Sequence, residues 1–492
     1  GVWLGNSPDR GERFEYQVAP RGAAQAVYRN ETLELRDPAL LEQIGPRQYR
    51  LRAFPVMPLQ MSWNDENSRA LIDEAPPLYL WMTYQTLATE QGWPMPRLAL
   101  KRNIFWDKDT VRLLNGDTLK TDKEAWLPES IPTIAPVTPQ SHEIDLPDGQ
   151  RVLVMPASQA DLPALPTGLR LAVVLDRSHS MTAHTDMVAS ELTRLQELAG
   201  AEANIDIYLT ASPYRGEPPS RGNLTDLDMN DIVYFGGQNA AELLAQYEDL
   251  RVDESYDAVL VFTDGSGYEL GENEIDVPIP LAPVWMVHMG RDLPLGYDDE
   301  TLEAIQASGG GVVGNLDQAL SRLAVALVGE EKSTGIGPVS RDLIDGYMWT
   351  VLPADQSESL DLEPNPEESG FIAFAARRLI LAEMQRYGGD LSQVSTLDNL
   401  HALAQEFSIV TPYSSMIVLV NSEQQRLLDH LAEGSDRFDR EFEQLKDTVP
   451  STTTPLTGVP EPHEWLLIGL AVIMLLLYAS RRKLAWLQDV RL

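Results

Sequence analysis

The sequence predicts an α/β fold, a doubly wound parallel sheet between Leu169 and Glu330, and three observations carry that expectation. An apolar run from Leu169 to Leu175 stops abruptly at Asp176-Arg-Ser178-His-Ser180. A second, Asp257 to Phe262, stops in the same way at Thr263-Asp264-Gly265. Around them, segments with apolar residues every third or fourth position alternate with short, densely apolar segments, the pattern of strands and helices in turn. Such alternation makes a parallel sheet covered on both faces.

In order along this region, Val188, Leu192, Leu195 and Ala199 mark a helix, and Ile205, Ile207 and Leu209 a strand. A short strand is expected at Ile232 to Phe235, a helix from Ala240 to Tyr247, and then the strand before Asp264. A strand from Val284 to His288, a helix near Glu300 to Ala307, Gly309-Gly310-Gly311-Val312-Val313 and a last helix from Leu316 to Leu327 complete it. Upstream, Tyr49, Leu51 and Ala53 alternate with Arg50 and Arg52 as in a half-buried strand, and Leu78 to Tyr84 alternates likewise. The stretch from Asn115 to Pro166 reads as a few strands plus a linker. Downstream, helices are expected at Phe371 to Met384 and Leu397 to Phe407, then a strand within Ile409 to Leu419, and an amphipathic stretch from Glu423 to Leu445.

The chemistry lies where the two apolar runs stop. Residues at i, i+2 and i+4 of an extended segment point the same way, so Asp176, Ser178 and Ser180 offer one carboxylate and two hydroxyls to a common point. These are hard oxygen donors, suited to Mg2+, Mn2+ or Ca2+. If the two strands are parallel neighbours, both loops leave the same sheet edge, where open α/β sheets bind ligands, and Asp264 faces Asp176 across an ion. An Asp or Ser after a strand is also a common helix cap, the plain alternative.

Residues 169–330 resemble a von Willebrand factor type A (VWA) domain: Asp176, Ser178 and Ser180 match that family's metal-ion-dependent adhesion site, and Asp264 its distal aspartate. Where the family has Gly-Gly-Thr, this chain has Gly236-Gly237-Gln238, which keeps an oxygen donor on a longer arm; Thr225 is a second candidate for that place. The resemblance implies Mg2+, Mn2+ or Ca2+ held with one position open for an acidic side chain of a partner protein. Residues 1–150 are similar to part of a β-rich vault/inter-alpha-trypsin (VIT) domain, and Ile409 to Leu419 to the end of proteins that join VIT and VWA domains. The expected organisation is a VIT-like domain at 1–150, a linker at 151–168, the VWA domain at 169–330 and an α+β extension at 331–448. A spacer at 449–464, a transmembrane helix at 465–480 and a basic cytoplasmic tail at 481–492 follow.

That tail bears on location. Trp465 to Ser480 carries no charge and Arg481, Arg482 and Lys483 follow at once. Its sixteen residues rise about 24 Å as a helix, short of a core of about 30 Å, and snorkelling basic residues close the gap. The positive-inside rule then places the soluble part across the membrane from the cytoplasm. Pro460-Glu461-Pro462, apolar helix and basic cluster together resemble the PEP-CTERM sorting signal of Gram-negative bacteria. The resemblance implies recognition by an exosortase, an inner-membrane anchor with the soluble part in the periplasm, and either release to the surface or permanent anchoring. Gly1 is not an initiator residue, so residues upstream of it are expected.

Lys and Arg number 38 against 74 Asp and Glu, a formal charge of −36, which repels phosphate backbones and makes nucleic acid a poor partner. There is no cysteine, which excludes thiol catalysis and thiolate metal sites. The seven histidines, at 142, 179, 184, 288, 401, 430 and 463, form no metal-spaced pair, and no phosphate-binding glycine loop is present. The expected function is therefore adhesion or protein–protein binding through a divalent cation, without catalysis. A metal-independent scaffold for surface or exopolysaccharide machinery is the alternative, favoured by Gln238.

Overall fold

The computed structural model describes residues 1–5, 7–33, 38–53, 60–63, 69–73, 79–89, 92–96, 113–114, 116–118, 130–133, 138–146, 149–158, 160, 162–211, 218–265, 277–289, 299–331, 340–353, 371–387 and 393–439. The chain divides into compact units Gly1–Gln444 and Leu445–Leu492. The Pro460-Glu461-Pro462 motif, the Trp465 to Ser480 segment and the basic cluster Arg481, Arg482 and Lys483 lie outside the described residues. Among the described residues no helix is long and apolar enough to cross a membrane.

The central sheet has six strands: β1 Arg170–Leu175, β2 Asn204–Leu209, β3 Ser220–Asn223, β4 Ala258–Thr263, β5 Val284–His288 and β6 Gly311–Val313. Their order across the sheet is β3-β2-β1-β4-β5-β6, all parallel except β3. This is the doubly wound order, whose reversal point lies between β1 and β4. Helices α1 Thr185–Ala199, α2 Ala240–Arg251, α3 Asp299–Ala307 and α4 Leu316–Glu331 cover it. Leu171, Val173 and Leu175 of β1 share a core with Val188, Leu192 and Leu195 of α1 and Leu316, Leu320 and Leu323 of α4. Ala172 and Val174 face the other way, toward Leu243, Leu244 and Tyr247 of α2 and Leu302 and Ile305 of α3. Every residue of β4 is buried, which is why its sequence is unbroken in apolar character and not alternating. Gly310, before β6, allows close backbone approach: a Cβ there would stand 1.8 Å from the Val284 carbonyl oxygen.

Two expectations are corrected. Ile232 to Phe235 is not a strand; the antiparallel edge strand is β3, and short 3-10 turns follow at Leu224–Asp226 and Met229–Asp231. The reason is local, because the Asn223 and Asp228 side chains accept from the Thr225 and Asn230 amides at 3.0 and 2.9 Å. Side-chain caps of this kind compete with a ladder. Residues 151–156, expected to open a linker, form a strand instead. Arg151–Pro156 pairs on one side with His142–Asp145 and on the other with Tyr347–Leu352, whose outer neighbour is Ser340–Ile344. Its inward Val152 and Val154 are fully buried.

The segments before and after the central sheet are thus woven together. A second four-stranded sheet runs Tyr16–Pro20, Ser414–Val418, Ala39–Gly45, Gln48–Ala53, so a strand from beyond residue 400 sits between two from the first fifty. Tyr79–Met82 is a strand, as its alternation suggested, paired with Val2–Gly5. Helices Ile372–Tyr387 and Val394–Glu406 occupy the two places expected, and Ser422–Ala432 is a helix in the final amphipathic stretch, whose residues from 440 on lie outside the described residues. Arg21 ties this layer to the central domain: it donates to Pro412 O at 2.8 Å and Phe438 O at 2.6 Å and pairs with Glu303 of α3 at 3.0 Å. Asp342 of the strand Ser340–Ile344 receives Arg322 of α4 through both carboxylate oxygens, at 2.9 and 3.0 Å, and Arg378 at 3.1 Å.

His401 joins the helix Val394–Glu406 to the inserted strand through Nδ1 and Ser414 Oγ, 2.8 Å apart. Burial holds its imidazole down to about 4. The unfolded chain therefore takes up this proton first, so the contribution to stability is complete above about pH 6.5 and is lost as pH falls toward 4. We predict that the melting temperature drops between pH 7 and pH 5 and that His401→Gln shrinks the drop. Equal drops in parent and variant would contradict this.

Candidate metal centre

Parallel pairing of β1 with β4 puts Leu175 opposite Phe262, and the ladder continues one step further through Asp176 N donating to Phe262 O at 3.0 Å. Asp176 thereby emerges at the carboxyl edge of the sheet beside Thr263 and Asp264. Its carboxylate is 1% exposed and held at both oxygens. Oδ1 accepts from the Ser178 amide at 2.8 Å and from the Ser178 hydroxyl, and Oδ2 accepts from Thr263 Oγ1 at 2.7 Å. Burial nevertheless pushes Asp176 up to about 6, and the neighbouring Asp264 carboxylate adds to the rise against those three hydrogen bonds. A buried carboxylate with a second carboxylate as neighbour is an arrangement that a cation relieves.

Ser180 lies in the 3-10 helix His179–His184, with its hydroxyl oxygen buried and without a hydrogen-bond partner. A buried orphan of this kind costs about 1–3 kcal/mol. The Asp176–His179 loop is strapped to the next one: Phe235 N donates to Arg177 O at 2.8 Å, His179 N to Gly236 O at 2.9 Å and Gln238 N to Ser178 Oγ at 3.2 Å. Gly236 turns there with φ +73°, a conformation open to glycine.

Gln238 is placed differently from a simple ion ligand. Its Oε1 accepts from Thr210 Oγ1 at 2.7 Å and its Nε2 donates to Ala211 O at 2.8 Å, so the carboxamide braces the end of β2. What reaches the loop is its backbone amide. Thr225 is exposed in the turn after β3, its hydroxyl on Asn223 Oδ1 at 2.7 Å, away from this cluster. His179 is exposed.

Of the expected donors, the structure joins Ser178 to Asp176 by hydrogen bonds and sets the Asp264 carboxylate near enough to act on Asp176, while Ser180 stands in the 3-10 helix that follows. Among the described residues no three His, Cys, Asp or Glu side chains converge as a metal-holding group. Asp176, Ser178, Ser180 and Asp264 all offer hard oxygens, the donor chemistry of a small divalent cation. Sequence reasoning missed Thr263 as the clamp on Asp176, and it missed Thr210, one residue past β2, and His288, which ends β5. Counting strand ends against one another finds all three: Thr210 and Thr263 follow Leu209 and Phe262, which both pair with Leu175, and His288 pairs with Thr263.

No protein-family model and no curated protein matches the chain. Among solved structures, VWA2, the ArnB paralog from Sulfolobus acidocaldarius, is 12% identical over 59% of this chain and 89% of its own, with a TM-score of 0.25. The VWA domain of SpRpn10 is 14% identical over 35% of this chain and 99% of its own, TM-score 0.22. The pilus adhesin SpaC from Lactobacillus rhamnosus GG is 12% identical over 43% of this chain, TM-score 0.22, and the match spans 40% of the adhesin's length.

Replacing Thr263 with Val keeps the side chain's shape and removes the donor to Asp176 Oδ2. We predict a loss of about 1–2 kcal/mol at pH 7 in urea unfolding, together with a further rise of the Asp176 titration seen by carboxyl NMR. A variant with unchanged stability and titration would contradict the clamp.

Proposed function

We propose that this chain is a binding protein of the bacterial cell envelope whose central domain is of the VWA type. In this reading Asp176, Ser178, Ser180 and Asp264 hold a divalent cation, Mg2+ first and Mn2+ or Ca2+ next. An acidic side chain of a protein partner completes the site. The observation that carries the reading is the buried Asp176 carboxylate with Asp264 as its charged neighbour at the reversal point of the sheet, followed four residues on by the buried, unpartnered Ser180 hydroxyl. A bound divalent cation supplies a Lewis-acidic centre there with a position for a carboxylate. Ser178 orients Asp176 and keeps a lone pair for the ion, because its proton goes to Asp176 and one lone pair takes the Gln238 amide. The function is recognition, with no bond made or broken.

The anchor in this proposal is the segment from Trp465 to Ser480 with Arg481, Arg482 and Lys483 on the cytoplasmic side, and Pro460-Glu461-Pro462 is the mark for an exosortase. Nucleic acid is no partner for a chain of net charge −36. A metal-independent scaffold for surface or exopolysaccharide machinery is the second reading, and the engagement of Gln238 by Thr210 favours it.

Titration calorimetry of Mg2+, Mn2+ and Ca2+ into the full chain, beside Asp176→Ala, tests the first reading. The acidic surface binds ions diffusely in both proteins, so the difference between them is the measurement. One saturable site present in the parent and lost in the variant is expected; identical titrations would leave scaffolding as the account.

A further inference from the structure

The end of β2 ties the two loops of the candidate centre together through side chains outside the proposed donor set. Thr210, directly after Leu209, is fully buried. Its Oγ1 donates to Leu175 O at 2.8 Å and to Gln238 Oε1 at 2.7 Å, and its carbonyl accepts from Arg177 Nε. Ala211 follows. Its carbonyl accepts from Gln238 Nε2 at 2.8 Å and from Gln246 Nε2 at 2.6 Å, while its amide donates to Gln246 Oε1 at 2.9 Å. Gln246 belongs to α2, so Ala211 is held at both backbone groups from a second element and Gln238 hangs from a fixed point.

That anchor settles which way the Gln238 carboxamide faces. A carbonyl only accepts, so the amide nitrogen faces Ala211 O and the amide oxygen faces Thr210 Oγ1. The backbone just before it is Gly236 and Gly237, with Gly236 at φ +73°, a stretch of wide conformational freedom. The side chain therefore supplies the restraint that the glycines do not. What it restrains is the Gln238 N–H, which donates to Ser178 Oγ at 3.2 Å, while the Ser178 proton goes to Asp176 Oδ1. Two of the three bonding directions of the Ser178 hydroxyl are thereby taken, and one lone pair is left.

We propose that Thr210 and Gln238 are a positioning pair of the metal centre: the carboxamide, pinned between Thr210 Oγ1 and Ala211 O, keeps its own backbone N–H on Ser178 Oγ, so that Ser178 meets the ion with its remaining lone pair. The inference rests on the divalent-cation reading above. It gives the engagement of Gln238 by Thr210 a task within that reading, as an outer support of a ligand. Such supports are worth about 10–100-fold in metal affinity.

The test uses the full chain with Mn2+ as the probe, affinity read by calorimetry and the fold by near-ultraviolet circular dichroism. Thr210→Val removes the hydroxyl, keeps the shape and leaves every proposed donor in place. Mn2+ binding is expected to weaken by about tenfold, and Thr210→Ser, which restores the hydroxyl, to recover most of the loss. In a Ser178→Ala background Thr210→Val is expected to change little, because the group it positions is gone; independent effects would add. A Gln238 carboxamide that was itself a ligand, held back by Thr210, would be freed by Thr210→Val and binding would tighten. Tighter or unchanged binding in Thr210→Val, or equal losses with and without Ser178, would overturn the proposal. Where Thr210→Val does not keep the parent spectrum, Gln238→Met takes its place, with the same loss expected and the same dependence on Ser178. If saturable binding survives Asp176→Ala, the divalent-cation reading falls and takes this one with it. If binding depends on Asp176 but not on Thr210, only the positioning pair falls.

Discussion

Everything at the candidate centre depends on the parallel pairing of β1 with β4. That register sets Asp176 one step past Leu175 and Thr263 one step past Phe262, so a hydroxyl meets a carboxylate across the strand boundary without any loop having to reach. Shifting β4 by one residue would turn Thr263 to the opposite face and bring Phe262 or Asp264 into its place. The register is secured by burial: β1 from Leu171 onward and all of β4 have no exposed face, and a slip would drive Leu171, Val173, Leu260 and Phe262 into the wrong core. The hydrophobic effect thus positions the polar group.

Around that register the chain builds supports on every side. Backbone hydrogen bonds from Phe235 and His179 and the amide of Gln238 fasten the second loop to the first. Below them, α3 and α4 are tied to the flanking layer through Glu303 with Arg21 and through Arg322 with Asp342. The flanking layer is itself closed by a strand exchanged over nearly the whole chain, Ser414–Val418 lying between Tyr16–Pro20 and Ala39–Gly45. The central domain is therefore an insertion into a β-rich frame whose two halves are not independent of each other.

Much of this was legible in the sequence, for physical reasons that differ by element. The α1 helix was readable because Val188, Leu192, Leu195 and Ala199 sit at helical spacing and are its buried residues. The two strand ends with Asp176 and Asp264 were readable because an apolar run that stops at a polar cluster marks both a buried strand and its edge. Gln238 was identified by its place after two glycines, yet its carboxamide serves Thr210 and Ala211, a destination set by the neighbouring strand and invisible in spacing. Ile232 to Phe235 has strand composition but lies after Asx caps that redirect the backbone. The strand Arg151–Pro156 was hidden because its partner, Tyr347–Leu352, is almost two hundred residues away and supplies half the reason for it to form.

The most direct test of the central claim is positional. Crystals grown with Mn2+ would be measured near the manganese absorption edge, and the anomalous difference density would be mapped. The account predicts one strong peak among the side chains of Asp176, Ser178, Ser180 and Asp264. Peaks confined to the acidic surface, or none at the carboxyl edge of β1 and β4, would contradict it.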